Sequence, residues 1–236
     1  MYVPLRSDLI GVWHYPVWHY LLLDGDDVIA LDTGMDICAW RLRRWFHKTG
    51  RRPNQLRAIL LTHGHLDHAG CAGSLQRWSD ADVYMHPADE PILRGAFPYR
   101  GWSRVAGILE ALGRPVMGYR VPRIDHELAD GDELPFWGGL RVIHLPGHTP
   151  GHVAFYSESK RILFLGDAAL VAFGRASFPL PIFNVDGAQL RETICRVVDL
   201  KVNWVYPSHH NFMRHNVMED IRRYSAAKAA AVDHEG

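Results

Sequence analysis

The feature that most constrains this chain is the segment from Thr62 to His68, which places three histidines and one aspartate within six residues. The continuous apolar run of residues 58–61, directly before it, predicts a buried strand. The apolar stripe within residues 69–78, directly after it, predicts a helix. The polar cluster therefore fills a loop between a strand and a helix, where α/β proteins commonly place ligand sites.

The spacing inside this cluster predicts two neighbouring cations. His63 and His65 are two positions apart, so in extended backbone they project to the same side and can share one cation. Asp67 and His68 follow where the chain turns into the helix, and they point elsewhere, as a second cation requires. Without a cation, burying these groups together is costly, because charged imidazoles repel and unpaired polar groups lose hydration. Imidazole and carboxylate ligands without thiolates suit zinc.

Length and composition set the class of protein. The 236 residues are enough for one large α/β domain, and 47% hydrophobic and 22% charged residues are typical of a globular chain. The 26 basic and 26 acidic residues balance, so nucleic acid and an anionic membrane are not expected as partners, and any such binding would have to be local.

Cys38, Cys71 and Cys195 form no CxxC pair, so the sequence does not indicate a thiolate zinc motif. The chain has no apolar run of ~20 residues and no signal-peptide pattern at its start, and it is predicted to be cytoplasmic.

Strands and helices are predicted to alternate, which indicates an α/β fold. Residues 17–23 and 28–32 are predicted to form a hairpin, and Cys38, Leu42, Trp45 and Phe46 form one face of a helix that ends at Gly50. Further strands are predicted at 83–85, 140–144, 153–156, 162–165 and 204–206, with helices starting near 187 and 217.

A single domain over residues 1–236 is predicted, with a cap insertion at about 87–134, where Gly and Pro interrupt the pattern. From Arg94 to Arg123 this region has six arginines and one acidic residue, Glu110. Solvated surface is the favoured interpretation of these arginines, and recognition of an anionic substrate is the minority one.

Residues 63–68 resemble the HxHxDH motif of the metallo-β-lactamase-fold superfamily. Four other segments resemble further motifs of that family in the same order, namely an early aspartate turn (31–34), a glycine-rich histidine loop (145–152), a strand-ending aspartate (164–167) and a last metal histidine (206–209). The resemblance runs from about residue 17 to 210 and is specific, because five separated motifs occur in the right order.

The resemblance implies a four-layer αβ/βα sandwich with the metal ligands on loops along one edge of two sheets. It assigns one metal to His63, His65 and His148, the other to Asp67, His68 and His209, and the bridging position to Asp167. Asp32 would orient a ligand histidine without binding metal. His210 is the alternative to His209, whereas His152 is expected to be structural and His144 to be a packing residue.

These ligands imply a hydrolase with two zinc ions, iron or manganese being alternatives, in which a bridging hydroxide attacks the substrate. Asp67 would also act in catalysis by orienting the nucleophile or relaying its proton. An ester-like bond in a small molecule is expected, a lactone or thioester first and a small phosphodiester next. No tyrosine between residues 168 and 186 matches the one found in quorum-quenching lactonases; Phe173, Phe178 and Phe183 occur there instead.

Two alternatives remain open from the sequence. One is a persulfide dioxygenase-like oxidoreductase with a single iron held by residues corresponding to His63, His148 and Asp167. The other concerns assembly, because the sequence is compatible with a homodimer as well as with a monomer. A glyoxalase-II-like enzyme is less favoured, because little chain follows His209.

Overall fold

The computed structural model of the protein describes residues 1–14, 16–35, 39–96, 98–99, 104–172, 175–209, 213–214 and 216–233. Its larger sheet has seven strands, which are β1 (Tyr2–Arg6), β2 (Leu9–His14), β3 (Val17–Asp24), β4 (Asp27–Leu31), β5 (Leu56–Leu60), β6 (Asp82–Met85) and β7 (His126–Glu127). They are hydrogen-bonded in sequence order. The strands from β1 to β4 are antiparallel, and those from β4 to β7 are parallel.

The later strands are β8 (Glu133–Leu134), β9 (Leu140–His144), β10 (Val153–Ser157), β11 (Ile162–Gly166), β12 (Leu170–Ala172), β13 (Arg175–Ser177), β14 (Trp204–Pro207) and β15 (Met213–Arg214). Six of them form a second sheet in the order β15-β14-β11-β10-β9-β8, and β12 and β13 form a separate two-stranded ribbon. In the second sheet β11 and β14 are parallel, so the chain leaves both strands at the same edge.

The helices are α1 (Ala39–Lys48), α2 (Leu66–Ala69), α3 (Ala72–Ser79), α4 (Glu90–Leu93), α5 (Arg104–Val116), α6 (Gly187–Thr193) and α7 (Asn216–Asp233). Helix α6 begins as the sequence predicts, because the carboxylate of Asp186 accepts hydrogen bonds of 2.9 Å from the amides of Ala188 and Gln189. None of the helices in these ranges combines the length and the apolar character that a membrane crossing requires.

Three separate hydrophobic cores divide the molecule into four layers. The central core lies between the two sheets, where Tyr20 and Ile29 of the first sheet meet Phe155 and Phe164 of the second. An outer core joins the first sheet to α1 and α3, with Phe46 among its buried residues. The third core joins the second sheet to α6 and α7. The predicted αβ/βα sandwich is therefore confirmed.

The structure differs from the predictions at a few elements. The sequence did not predict β1 and β2. The helix predicted over residues 69–78 is two helices, α2 and α3, because the amide of Cys71 donates to the carbonyl oxygen of Gly34 (3.0 Å) and not to the preceding turn. Cys38, which the sequence places on α1, lies outside the described residues. Residues 87–134 contain α4 and α5 but also supply β7 and β8, and the assignment of one domain with a cap stays a prediction.

Candidate metal centre

The seven predicted ligands come from loops at one edge of the two sheets. Four of them follow β5, at the point where this strand runs into α2. The other three, His148, Asp167 and His209, follow strands β9, β11 and β14 of the second sheet. The two sheets thus meet at a single polar site, and each contributes about half of it.

The first ligand group consists of His63, His65 and His148, whose imidazoles are almost fully buried. The Nε2 atom of His63 lies 3.0 Å from Nδ1 of His65, and Nε2 of His148 lies 3.1 Å from the same Nδ1. Three nitrogens that converge in this way resemble three corners of a tetrahedral zinc site, in which neighbouring nitrogens are separated by about 3.3 Å.

The second group consists of Asp67, His68 and His209. The Nε2 atoms of His209 and His68 lie 3.3 Å and 3.8 Å from Oδ2 of Asp67. Asp167 lies between the two groups, with its Oδ2 atom 3.5 Å from Nε2 of His148 and 3.2 Å from Nε2 of His209. The structure therefore brings together all seven residues that the sequence singles out, and Asp167 takes the central position among them.

Two polar atoms at this site are buried without a hydrogen bond. They are Nε2 of His68 and Oδ1 of Asp167, which lie 3.5 Å apart. Leaving a buried polar atom unsatisfied costs free energy, about 1–3 kcal/mol for each group. A cation held between the imidazole and the carboxylate would satisfy both atoms, so the residues present fit a metal centre.

The second ring nitrogen of every predicted histidine ligand contacts a polar atom of the protein. This contact fixes the orientation of the ring and selects the tautomer whose free lone pair faces the centre. The pairs are His63 Nδ1 with Thr62 Oγ1 (3.0 Å), His65 Nε2 with the Tyr99 hydroxyl, His68 Nδ1 with Asp32 Oδ2 (2.9 Å), His148 Nδ1 with Asn184 Oδ1 (2.9 Å) and His209 Nδ1 with the Pro16 carbonyl oxygen (3.1 Å).

Asp32 lies where the resemblance places it, with its carboxylate next to Nδ1 of His68. Besides contacting His68, it accepts hydrogen bonds of 2.8 Å from the amide and from the hydroxyl of Thr62. It is fully buried and has a left-handed φ of 56°, which aspartate tolerates better than most residues. Asn184 and Tyr99 were not predicted, because neither belongs to a motif or to a periodic segment.

Asp89 is a further buried carboxylate that the sequence analysis missed. It accepts hydrogen bonds from the amide of Gly64 (2.9 Å), the hydroxyl of Thr149 (2.6 Å) and the amide of Gly151 (2.5 Å). It therefore ties the loop of His63 and His65 to the loop of His148. Its position shortly after β6, a strand parallel to β5, is a signal that could have indicated this carboxylate.

The imidazoles of the first group are neutral at pH 7. Burial and then the neighbouring imidazoles hold the pKa of His63 well below its usual value and lower the pKa of His65 to about 3. Burial also lowers the pKa of His148. Cation binding requires deprotonated imidazoles, so this group is prepared for a metal.

Charge interactions dominate in the second group. Although burial acts in the opposite direction, Asp167 raises the pKa of His209 to about 10 and raises that of His68 well above its usual value. Burial likewise opposes the shift of Asp167, but His209 and His68 hold the pKa of that carboxyl well below its usual range. A cation that binds this group must therefore displace protons from the two imidazoles.

A cavity of about 500 Å³ opens onto the centre, and its wall is mostly apolar. Asp67, Asp167 and His209 lie at its base, while Leu109, Leu180 and Phe183 belong to its outer wall. No arginine or lysine in the described part of the chain lines it.

The arginines of residues 94–123 have other contacts. Arg94 and Arg123 form ion pairs with Glu90 and Asp125 on the surface, whereas Arg114 is buried and pairs with Glu110 at 2.8 Å. Arg104 and Arg120 are exposed, and Arg100 lies outside the described residues. Among the described residues, this favours the surface interpretation of the arginines.

The remaining predicted residues are placed as follows. His152 is buried, and its Nε2 atom accepts a hydrogen bond of 3.0 Å from the amide of Asp167, so it has a structural role. His144 stacks on His86, with ring centroids 4.1 Å apart. Phe178 packs on α7, whereas His210 and Phe173 lie outside the described residues.

Fold and site together are those of a metal-dependent hydrolase, and comparison with known proteins identifies the family. Residues 13–209 match the family model of the metallo-beta-lactamase superfamily, so the chain belongs to that superfamily. It is 30% identical to the probable metallo-hydrolase YybB of Bacillus subtilis, over 91% of this chain and 86% of that protein. It is 32% identical to the hydroxyacylglutathione hydrolase GloC of Haemophilus influenzae, over 52% of this chain and 55% of that one.

Solved structures agree with this assignment. The metallo-beta-lactamase family protein TTHA1429 from Thermus thermophilus superimposes with a TM-score of 0.71 at 24% identity, covering 98% of this chain and 81% of that one. TTHA1623 in a di-iron-bound form superimposes with a TM-score of 0.64 at 30% identity, covering 86% and 92%. The chain is thus a metal-dependent hydrolase with a metal-binding site of histidines and aspartates.

Proposed function

We propose that the protein is a binuclear zinc hydrolase that cleaves a lactone or thioester bond in an uncharged, apolar small molecule. The observation that carries this proposal is the apolar cavity, about 500 Å³ in volume, whose lining includes residues of both ligand groups. His63, His65 and His148 would hold one cation, Asp67, His68 and His209 would hold the other, and Asp167 would bridge them.

Two bound zinc ions would supply a nucleophilic water of lowered pKa and would polarise the scissile carbonyl group. The protein itself contributes a carboxylate at the base of the cavity. Although burial opposes the shift, His68 and His209 hold the pKa of Asp67 below its usual range, so this carboxyl is ionised at neutral pH. As an ionised carboxylate it can accept a hydrogen bond from the attacking water and so orient it towards the substrate.

The wall of the cavity favours an apolar acyl substrate over an anionic one. A phosphodiester or another anion entering it would lose hydration without gaining an arginine or lysine partner among the described residues. Leu109, Leu180 and Phe183 can instead bury an alkyl chain. GloC is named a hydroxyacylglutathione hydrolase, which supports the choice of an acyl bond as the bond that is cleaved.

Metal analysis combined with a substrate panel tests this proposal. Protein purified without added metal should contain about two zinc ions per chain. It should hydrolyse lactones or thioesters faster than β-lactams or phosphodiesters. Each buried methylene contributes about 0.8 kcal/mol, so kcat/KM should rise roughly fourfold per added acyl methylene until the cavity is full. One iron per chain together with oxygen consumption would instead indicate the dioxygenase alternative.

The bridging position of Asp167 has a separate test. Asp167→Ala should lower both metal content and turnover, because it removes the carboxylate that lies between the two groups. Asp130→Ala is a suitable control, since it removes an aspartate from a surface ion pair with Arg196. A variant at Asp167 that keeps two metals and full activity would contradict the bridging assignment.

A further inference from the structure

Helix α5 is oriented with its apolar side outward. Five large apolar residues are exposed on it, at spacings of three, four and seven positions that place them on one helix face. They are Val105, Ile108, Leu109, Leu112 and Val116, each between 41% and 86% exposed. A surface helix normally turns such a face towards the core, so this one presents an interface that needs a partner.

The polar side of α5 anchors the helix to the metal-binding half of the molecule. Arg114 donates hydrogen bonds of 2.6 Å to the carbonyl oxygens of Leu93 and Ile92. Glu110 pairs with Arg114 and accepts a hydrogen bond of 3.0 Å from the amide of Leu66, inside the histidine motif. Turning the apolar side inward would break these buried contacts, so the outward orientation belongs to the folded structure.

The apolar face continues beyond the helix. Leu180 and Phe183, which are 63% and 48% exposed, lie beside Leu109 at the mouth of the cavity. We call these two residues and the five on α5 the apolar patch. Seven such side chains present on the order of 700 Å², more than the ~300–600 Å² of the largest patch on a typical monomer. The area is close to the ~800 Å² that each partner contributes to a stable protein interface.

We propose that the apolar patch is the interface with a second copy of this chain. A two-fold dimer brings the same patch of both copies together, so a surface that pairs with itself must not carry many like charges. The outer face of α5 has one charged residue, Arg104, at its first position. In an antiparallel pair of α5 helices, this arginine would lie near the C-terminal end of the other helix, where the helix dipole favours a cation.

A lipid surface fits this face less well. Helices that bind membranes flank their apolar side with lysine and arginine, which reach the anionic headgroups. On α5 the second arginine, Arg114, is 8% exposed and is turned into the protein. Arg104 is therefore the one exposed basic residue of α5, fewer than a membrane-binding helix carries along its apolar side.

Dimer formation would also affect the cavity. Leu109, Leu180 and Phe183 belong both to the cavity wall and to the apolar patch. The second copy would cover part of the cavity mouth and shield it from bulk water. The inference does not depend on the proposed function, because it rests on the exposed face alone.

Sedimentation equilibrium tests the proposal on the metal-loaded full-length protein. The wild type should sediment at twice 26.8 kDa at micromolar concentration. Leu112→Glu should raise the dimer dissociation constant by about 100-fold or more, because a charge on each copy would lose its hydration in the apolar interface. Leu112 does not line the cavity, so metal content and the circular dichroism spectrum of the variant should match the wild type.

Trp40→Glu provides the matched control. Trp40 is 52% exposed on α1, outside the apolar patch, and its replacement should leave the dimer intact. A monomeric wild type at 100 μM, or a Leu112→Glu variant that remains dimeric, would overturn the proposal. So would a wild type that is monomeric and sediments with vesicles of equal parts phosphatidylcholine and phosphatidylglycerol while the variant does not, since the patch would then bind lipid.

Discussion

At the scale of single residues, the candidate centre depends as much on the partners of the histidines as on the histidines themselves. A neutral imidazole can present a lone pair from either ring nitrogen, and only the hydrogen bond of the other nitrogen decides which one faces the cation. Here Asp32 holds His68, and Asn184 holds His148, each at 2.9 Å. Asp32 contacts the second group directly and the first only through Thr62, so a change at Asp32 should affect the second group more than the first.

Asp32→Asn should weaken the second cation. The amide group of asparagine would turn a donor towards Nδ1 of His68, where the carboxylate now accepts. Loss of such a ligand partner typically lowers metal affinity about 10–100-fold. Competition with a chromophoric chelator should show one strongly weakened zinc equivalent and a second that is weakened less, because Asp32 reaches the first group only through Thr62, which contacts His63.

Asp89→Asn is the control for that experiment, because it should act mainly on the other cation. Asp89 accepts hydrogen bonds from Gly64, Thr149 and Gly151, so its replacement disturbs the two loops that carry the first ligand group. It should weaken the first cation more than the second. If Asp32→Asn and Asp89→Asn had the same effect on both equivalents, the prediction that Asp32 acts mainly on the second group would be wrong.

The residue scale also marks a limit of sequence reasoning. Asp32 could be predicted because it lies in a turn that resembles a family motif. Asn184 and Tyr99 could not, because each contacts its histidine from a segment distant in sequence, with separations of 36 and 34 positions. Such contacts depend on tertiary packing, which no local pattern in the chain encodes.

At the scale of elements, close backbone contacts position the ligand loops. Gly147, just before His148, has a φ of 132° and packs against the first turns of α6. A Cβ atom at this position would lie 2.2 Å from the backbone nitrogen of Leu190. Only glycine fits between the histidine loop and the helix, so the position of His148 depends on this contact.

Gly147→Ala should therefore lower both stability and affinity for the first cation. The alanine would strain the backbone by about 1–3 kcal/mol and would also push the loop away from α6. Gly139→Ala is the matched control, because Gly139 also has a positive φ (99°) but open space around its Cβ position. Urea unfolding and zinc titration should show a stability loss in both variants and an affinity loss only in Gly147→Ala. Equal zinc affinities in the two variants would contradict this role of the contact.

Elements differed in how well the sequence predicted them. The strands that carry the ligands, such as β5 and β11, are short and largely apolar, and their positions were predicted closely. The orientation of α5 could not be predicted, because its apolar periodicity normally indicates the buried side of a helix. In α5 the charged side is buried instead, because the paired side chains of Glu110 and Arg114 hydrogen-bond to the backbone near the metal centre. Glu110 accepts from the amide of Leu66, and Arg114 donates to the carbonyl oxygen of Leu93.

At the scale of the whole molecule, the candidate centre joins the two halves of the sandwich. Each ligand group combines residues that follow β5 of the first sheet with a histidine from the second sheet, and Asp167 extends from β11 between them. The resemblance of the five motifs to those of the family implied this architecture, and in the structure the ligand-bearing motifs follow strands β5, β9, β11 and β14. Bound cations would therefore cross-link the sheets at the edge where their loops meet.

Removal of metal should lower the thermal stability of the whole domain. A cation that binds only the folded chain at 1,000 times its dissociation constant contributes about 4 kcal/mol, which for a chain of this length corresponds to a Tm shift on the order of 10 °C. Calorimetry before and after dialysis against EDTA should show this loss, and added zinc should restore it. In Asp167→Ala the loss should be smaller, because the residue between both groups is absent. An unchanged Tm after complete metal removal from the wild type would mean that the sheets are held together by the central core alone, through residues such as Tyr20 and Phe164.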